Sequence, residues 1–439
     1  MEQILGSPDG LAAVLVALAL GAVYVVVVRG RPVLAAVAVV AALCFVPPWI
    51  GAGFGVFVTP ALAACLGAIL ALAHGSDMRL RAFDGAFVLA LGAIVVAFLA
   101  GMVSLERAFL ALVGWGVAYL TGRVLGMNVA PGTIATVVAV AFGVVAVLAI
   151  AEFVTKTNLF VEVRAGSGSM YARWSGIRYR GGVPRVEGAW GHGIPLGGAL
   201  ALSVPFVWVS RLRPAVKAAL LVAIAFAAVV TFSRIGMIST ILAVVGCLVL
   251  LGSAVTPAFR KTVAALLVVG AGIAVPLTRD VFTAAGDEAA NSADYRGDLL
   301  SLVPEMSWLG STGAVSTNAA GETRYGSFGS IDSAPILAGL DYGVLPTAVL
   351  LAAALAALVA ALRTRRNAAL VAVAAVLPGL TSVAFITQFT TMFWLCVGLA
   401  VADADRAARE HAPVVPWPGA TARPPALAGV DRPGALALG

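Results

Sequence analysis

Charged residues are scarce in this chain. They make up 11% of its 439 residues, against about 25% in ordinary soluble domains. Hydrophobic residues make up 61%, more than a globular core would use. They form sustained runs and do not alternate with polar residues, which argues against a transmembrane β-barrel. Each span of a helical membrane protein needs about 20 apolar residues. The composition therefore predicts an all-α, polytopic transmembrane helical bundle.

Cysteine and histidine are rare as well, which bears on metal chemistry. The four cysteines all lie inside apolar runs, and none belongs to a CxxC pair: Cys44, Cys65, Cys247 and Cys396. This arrangement argues against a disulfide framework and against a zinc site. Of the three histidines, only His192 falls on the side of the membrane that the distribution of basic residues, given below, predicts to be outside. We therefore expect no metal and no other cofactor.

Long polar segments are few, and the apolar runs between them define the predicted membrane spans. Hydropathy predicts about 12–14 spans, near residues 11–28, 33–46, 57–73, 84–102, 106–122, 132–153, 193–209, 215–231, 236–252, 262–277, 334–361, 368–385 and 388–402. Residues 1–130 are an N-terminal group of transmembrane helices, and residues 131–405 are the core. Residues 406–439, rich in proline and alanine, are predicted to be a disordered tail.

The net charge of +7 is spread over the connectors between spans, a pattern of membrane topology and not of nucleic-acid binding. Basic residues recur in every second connector, which the positive-inside rule places in the cytoplasm: Arg29, Arg31, Arg79, Arg81, Arg123, Arg211, Arg213, Lys217, Arg260, Lys261, Arg363, Arg365 and Arg366. The N-terminus is then outside and the C-terminus cytoplasmic. Two long connectors, 154–192 and 278–333, both fall outside.

The two long external connectors differ in charge. The first is basic, which opposes the topology rule and indicates an anionic ligand. Its arginines Arg178, Arg180 and Arg185 can each offer a pair of donors to phosphate oxygens, although contact with lipid headgroups is an alternative. The second connector is acidic, and residues 295–309 have the apolar spacing of a short helix with one apolar face.

Further polar residues lie at the predicted outer ends of spans. Arg234 stands just inside an apolar run, where an arginine is costly and is a functional candidate; snorkelling to outer headgroups is the alternative. Asp332 precedes the span at 334–361, either as a helix N-cap or as a catalytic carboxylate. The remaining candidates for ligand contact or proton transfer are Glu187, His192, Tyr295 and Arg296.

Two of these groups lie in recognisable motifs. The stretch Arg185-Val-Glu-Gly-Ala-Trp-Gly-His-Gly-Ile-Pro-Leu-Gly197 resembles a motif of the O-antigen polymerase/ligase family. That motif has an arginine, a glycine and an aromatic residue before His-Pro or Asn-Pro and then Leu-Gly. Thr231-Phe-Ser-Arg-Ile-Gly236 resembles the Ser-Arg-Gly passage of the same family. Here the proline after the histidine is displaced to Pro195.

Two later passages continue the resemblance in family order. Arg296 followed by Trp308-Leu-Gly-Ser-Thr-Gly313 is similar to the Arg-helix-Gly-x-Gly passage of the family. Ile331-Asp-Ser333 with Gly343 is similar to its last passage. Ligases typically carry a histidine where this chain has Asp332, and this departure favours a polymerase.

The resemblance implies a metal-independent glycosyltransferase of the bacterial plasma (inner) membrane, with an extracytoplasmic active site. It would polymerise oligosaccharide repeat units carried on polyprenyl diphosphate. Its partners would be this donor, a glycan acceptor and membrane lipids, and no nucleic acid; a chain-length regulator is left open. The implied catalytic residues are Arg185, Arg234, Arg296 and Asp332, and the implied substrate-binding residues are Arg178, Arg180, Glu187, His192 and Tyr295.

Two other functions remain open at this point. One is a ligase of the same family, which would move finished glycan onto a lipid or a protein. The other is a flippase for the lipid-linked glycan. Transporters tend to carry charged residues at the middle of the bilayer, whereas the polar residues here gather at one predicted face. This distribution favours an enzyme over a conduit.

Overall fold

The computed structural model describes residues 8–53, 56–284, 286, 294–295, 297–317, 323–363 and 367–410. It is an all-α helical bundle, as predicted. Its α-helices are α1 Pro8–Val28, α2 Pro32–Phe45, α3 Pro60–Leu72, α4 Ala82–Leu99, α5 Leu105–Asn128, α6 Pro131–Thr155, α7 Gly168–Trp174, α8 Gly193–Val209, α9 Pro214–Val230, α10 Arg234–Leu250, α11 Pro257–Ala284, α12 Ala334–Tyr342, α13 Val344–Arg363, α14 Ala368–Leu380 and α15 Thr387–Glu410.

Short elements connect these helices. Three antiparallel two-stranded hairpins pair β1 Ala52–Gly53 with β2 Phe57–Val58, β3 Tyr179–Arg180 with β4 Val183–Pro184, and β5 Val315–Thr317 with β6 Thr323–Tyr325. Short 3-10 helices span Ala73–Gly75, Leu159–Glu162, Gly188–Trp190, Gly252–Ala254 and Leu299–Glu305, and α5 is π-helical over Leu110–Val117. These strands are too short to form a sheet layer, so the helices alone build the core.

The lengths of the helices agree with a membrane protein. Within the described residues, five helices are long and apolar enough to cross a membrane: α4, α5, α6, α11 and α13. Other apolar helices of the bundle are shorter, including α2, α3, α8, α9, α10 and α14. Several begin with a proline in the first turn, where its missing N–H costs nothing, as Pro32, Pro60, Pro131 and Pro214 do.

Three local expectations need correction. The span predicted at 334–361 is broken at Gly343, whose φ of +98° suits glycine and not other residues, so α12 and α13 are separate helices. Within the described residues of 295–309, the helix from Leu299 to Glu305 is a 3-10 helix that includes Pro304. The predicted tail from 406 starts too early, because α15 continues to Glu410; residues 411–439 lie outside the described residues.

An ion cluster that the sequence did not predict joins α4, α5 and α15 at one end of the bundle. Arg123 is 2% exposed, and its Nε lies 3.2 Å from Asp84 Oδ1. Asp405, fully buried, lies 3.8 Å from Arg123 and 2.8 Å from Arg81. Removing one partner of a buried ion pair strands the other charge, at a cost of about 3–5 kcal/mol. This cluster therefore fixes the three helices against one another.

The opposite end of the bundle carries both long connectors. The second is fixed to the start of α5, because Arg107 Nε lies 2.9 Å from Asp341 Oδ1 and Tyr325 donates a 2.7 Å hydrogen bond to the same oxygen. A small second core supports it, formed by Leu299, Leu302, Tyr325, Ile331 and Leu340. In the first connector, a Cβ on Gly181 would lie 2.5 Å from the carbonyl oxygen of Val281, near the end of α11.

Candidate functional site

Three predicted arginines converge on the turn between α9 and α10. Arg185 Nε donates a 2.9 Å hydrogen bond to the carbonyl of Thr231, and Arg180 Nη1 donates one of 2.9 Å to the carbonyl of Phe232. Arg234 is the first residue of α10, after the N-cap Ser233, whose side chain accepts from the amide of Gly236. Residues about 50 positions apart in the chain thus form one guanidinium cluster, which we call the arginine cluster: Arg180, Arg185 and Arg234.

A tight hairpin presents two of these arginines. The turn between β3 and β4 is formed by Gly181 and Gly182, with φ of +53° and +76°. Two consecutive positive φ angles fit the turn that joins strands with a right-handed twist. Arg180 lies at the end of β3 and Arg185 follows β4, so both arms of the hairpin face the α9–α10 turn. The hairpin therefore sets the spacing of the two guanidiniums.

The aromatic ring of Phe282, on α11, lies beneath the cluster. Its centroid is 4.7 Å from the guanidinium carbon of Arg234 and 5.6 Å from that of Arg180. Arg234 is exposed. Within the described ranges the structure gives its guanidinium this ring contact and no hydrogen bond. Its donors therefore point to a ligand or to solvent.

Arg178 and Glu187 form a layer under the cluster. Arg178 Nη1 donates to the carbonyl of Gly191 at 2.9 Å and lies 3.6 Å from Glu187 Oε2. Glu187 is 2% exposed, and its Oε1 has no hydrogen-bond partner in the described part of the chain. Burial raises the pKa of Glu187 to about 8, against the lowering effect of Arg178 and Arg185. Burial thus favours the protonated form of Glu187, and the side chain presents almost no surface to a substrate.

Glu152, at the end of α6, was not among the predicted residues. Its Oε1 accepts from the amide of Glu187 at 3.0 Å and from Asn158 Nδ2 at 3.1 Å, and its Oε2 accepts from the amide of Gly188 at 2.9 Å. These three bonds fix the segment that leads from the hairpin to α8. The signal available in the sequence was a carboxylate near the end of an apolar run.

His192 is the N-cap of α8. Its Nδ1 accepts a 3.0 Å hydrogen bond from the amide of Ile194, so the neutral ring carries its proton on Nε2. Burial, together with the nearby charges of Arg185, Arg178 and Arg180, lowers the pKa of His192 to about 3. The interpretation of His192 as a base is therefore not supported. It can cap the helix and donate from Nε2.

Close packing brings the first turns of α8 and α10 together. A Cβ on Gly197 would lie 3.0 Å from Gly236 Cα, so the two backbones touch without intervening side chains. Both helices begin at the end of the bundle where the arginine cluster lies. The first turn of a helix presents unpaired N–H groups and a partial positive charge. Three guanidiniums and two helix N-termini make this end of the bundle favourable for an anion.

Asp332 and Tyr295 lie in a separate group. Asp332 Oδ1 accepts from Ser330 Oγ at 3.2 Å, and the Tyr295 hydroxyl donates to the carbonyl of Ser330. In the parts of the chain that are described, the structure gives no hydrogen bond or ion pair between Asp332 and the arginine cluster. Arg296, the remaining predicted catalytic residue, lies outside the described residues.

An apolar crevice opens one helical turn from the cluster. It has a volume of about 350 Å³ and is lined by α9, α10 and α11, with Phe226, Val229, Met237, Ile241, Leu266 and Thr278 among its residues. Met237 is three residues after Arg234, and Thr278 is four before Phe282, a rise of about 6 Å along a helix. Polar lining atoms are few. The crevice suits a hydrocarbon chain whose charged end reaches the arginines.

No group of three or more histidine, cysteine or acidic residues that could hold a metal ion occurs in the described ranges. The fold and the site define a class: a bundle of apolar helices, fit to span a membrane, with a cationic site at one end. Comparison of the chain with protein-family models, with curated proteins and with solved structures found no match. A function for this chain is therefore inferred from the geometry of the site and from the motif resemblance.

Proposed function

We propose that this protein is a membrane-embedded glycosyltransferase that polymerises oligosaccharide repeat units carried on polyprenyl diphosphate. The observation that carries the proposal is an arginine cluster that lies about one helical turn from an apolar crevice. A lipid diphosphate has the same two parts, an anionic head and a long apolar chain. The resemblance to O-antigen polymerases and ligases indicates that such a ligand would be the donor in a glycan transfer.

The proposed reaction is a displacement at the anomeric carbon of the donor. An acceptor hydroxyl oxygen forms a bond to that carbon while the bond from the carbon to the diphosphate oxygen breaks, and the diphosphate leaves with the electron pair. Negative charge on the leaving group grows in the transition state, so preorganised guanidiniums lower the barrier. Arg234 is suited to this role, because it is exposed and lies three residues before the crevice residue Met237.

The hydroxyl proton needs an acceptor. Glu187 is buried and burial favours its protonated form, and the accepting nitrogen of His192 is already occupied. Asp332 is the candidate that remains, as a partly exposed carboxylate at the start of α12. We assign it the role of base, on a ligand that spans from the arginine cluster to the second connector.

The proposal includes an orientation. The arginine cluster would face the outside of the bacterial plasma membrane, with both long connectors on that side and the C-terminus in the cytoplasm. The distribution of lysine and arginine over the connectors supports it. Both long connectors lie at the same end of the bundle, and this placement agrees with a site on a single face of the membrane.

The test uses a strain that lacks this protein, complemented with the wild type, Arg234→Ala or Arg234→Lys. Loss of one preorganised donor to a developing charge costs a factor of about 100–1000 in rate, so long polymer should disappear in the alanine variant. Lysine should rescue poorly, because it lacks the planar fork. Arg164→Ala is the matched control, since Arg164 is exposed and its guanidinium lies over Tyr171, away from the cluster.

The length of the glycan attached to the carrier lipid, and the side of the membrane on which it accumulates, distinguish the three functions. Single repeat units accumulating on the outer side, with normal protein level in the membrane, would support the polymerase. Long polymer left on the lipid would mean a ligase. Units confined to the cytoplasmic side would mean a flippase. Full polymer in the strain with Arg234→Ala would refute the role assigned to Arg234.

A further inference from the structure

Phe282 belongs to none of the motifs found in the sequence, yet it contacts two of the three cluster arginines. Its ring is half-buried at the last turn of α11, with guanidinium carbons at 4.7 Å and 5.6 Å from its centroid. A guanidinium within about 6 Å of an aromatic centroid is attracted to the negative face of the ring. One ring thus serves as a shared support for Arg180 and Arg234.

The helix that carries Phe282 also forms one wall of the crevice. Residues from Val263 to Thr278 line it, and Phe282 follows Thr278 by four positions, one turn further along α11. The helix is loosely enclosed: only 12% of its most apolar stretch is buried within the protein. A hydrocarbon chain in the crevice therefore contacts the same helix whose last turn supports the arginines.

We propose that Phe282 is a positioning residue for the anionic head of a lipid-linked diphosphate. Its ring holds the guanidiniums of Arg180 and Arg234 one helical turn from the crevice, so that the head and the chain of one ligand are bound together. This inference rests on the proposed function, because it presupposes that the site takes a lipid diphosphate. It adds a residue that acts through the two arginines and not by touching the reacting atoms.

The size of the effect follows from the two contacts. Each cation–π contact at a partly exposed site contributes a factor of about 2–5 in an equilibrium constant. Removing the ring while keeping apolar bulk should therefore weaken binding of the diphosphate head by about fourfold to 25-fold. The contribution of the hydrocarbon chain should not change, because the crevice residues stay in place.

The experiment measures binding by the purified full-length protein in lipid nanodiscs. The probes are inorganic pyrophosphate, farnesyl diphosphate and farnesol, which carry the head alone, both parts, and the chain alone. The variants are Phe282→Leu, which removes the aromatic face, and Phe282→Tyr, which keeps it. Phe226→Leu is the matched control, since Phe226 lines the crevice and its ring packs against Phe153, whereas the ring under Arg180 and Arg234 is that of Phe282.

We expect Phe282→Leu to weaken the binding of pyrophosphate and of farnesyl diphosphate to the same extent and to leave the binding of farnesol unchanged. Phe282→Tyr should retain the wild-type affinities. Phe226→Leu should weaken only the two farnesyl compounds. Phe282→Met replaces the leucine variant if that protein does not fold. Pyrophosphate affinity in the leucine or methionine variant within twofold of wild type would overturn the role of Phe282 alone. Absence of pyrophosphate and farnesyl diphosphate binding by the wild type would overturn the proposed function as well.

Discussion

The buried carboxyl of Glu187 makes the stability of the protein depend on pH, and Glu187→Gln isolates that dependence. In the folded protein its pKa is about 8, mainly because burial disfavours the charged form. In the unfolded chain the same group has a model value of 4.5. Between these two values the folded protein holds a proton that the unfolded chain releases. Stability is therefore greatest below pH 4.5 and falls as the pH rises towards 8.

The magnitude comes from the difference between the two pKa values. Each unit corresponds to about 1.4 kcal/mol, so the shift from 4.5 to about 8 corresponds to a loss of roughly 5 kcal/mol over the whole range. Glutamine is isosteric with the protonated acid and cannot release a proton. The variant should lack this part of the pH dependence. It should also be more stable than the wild type at pH 8.

The assay is denaturation of the purified protein in detergent at pH 5, 6, 7 and 8, for wild type and Glu187→Gln side by side. Every other titrating group is common to both proteins, so the difference between the two curves reports on Glu187. We expect the stability of the variant relative to the wild type to increase steadily from pH 5 to pH 8. Parallel curves over this range would show that Glu187 is ionised in the folded protein and would refute the argument.

Three further changes probe other parts of the structure. Arg123→Met should destabilise the bundle by about 3–5 kcal/mol, because it leaves the buried carboxylate of Asp84 unpaired; thermal unfolding in detergent measures it. His192→Asn keeps a side-chain acceptor for the N-cap but does not titrate. Wild type should therefore lose stability as the pH falls from 6.5 towards 3, where only the unfolded chain gains the proton, and the variant should not. Gly236→Ala should cost about 1–3 kcal/mol, since its Cβ would lie 2.8 Å from Gly197 Cα; Gly270→Ala, with open space around it, is the control.

Composition and hydropathy were sufficient to predict the fold class, because a run of apolar residues long enough to cross a bilayer forms a helix to satisfy its own backbone hydrogen bonds. They were not sufficient at Gly343. There the chain turns between two apolar helices, and an average over many residues does not register one glycine with a positive φ. The ion pair of Arg123 with Asp84 was missed for a related reason. In the sequence, each of the two residues is a charge near the end of an apolar run. Only the packing of the two helices shows that the charges are buried against each other.

At the site, the sequence singled out several arginines as candidates but could not give their arrangement. Arg180, Arg185 and Arg234 were predicted from separate segments, and the structure brings them together. Glu187 and His192 have the residue types of acid–base groups, but their burial and bonding depend on neighbours far along the chain. Phe282 has no local signal, because an aromatic residue near the end of an apolar helix is ordinary until two guanidiniums are found above it.

The turn between α9 and α10 explains how three guanidiniums share one place. Phe232 has a φ of +47°, a conformation that costs a bulky residue about 1–3 kcal/mol. The carbonyls of Thr231 and Phe232 follow the end of α9, where the helix leaves acceptors unpaired. Arg185 and Arg180 donate to these two carbonyls. The same bonds therefore stabilise the strained turn and reduce the repulsion among the arginines. Arg234 begins the next helix, on the far side of that turn, and it remains exposed.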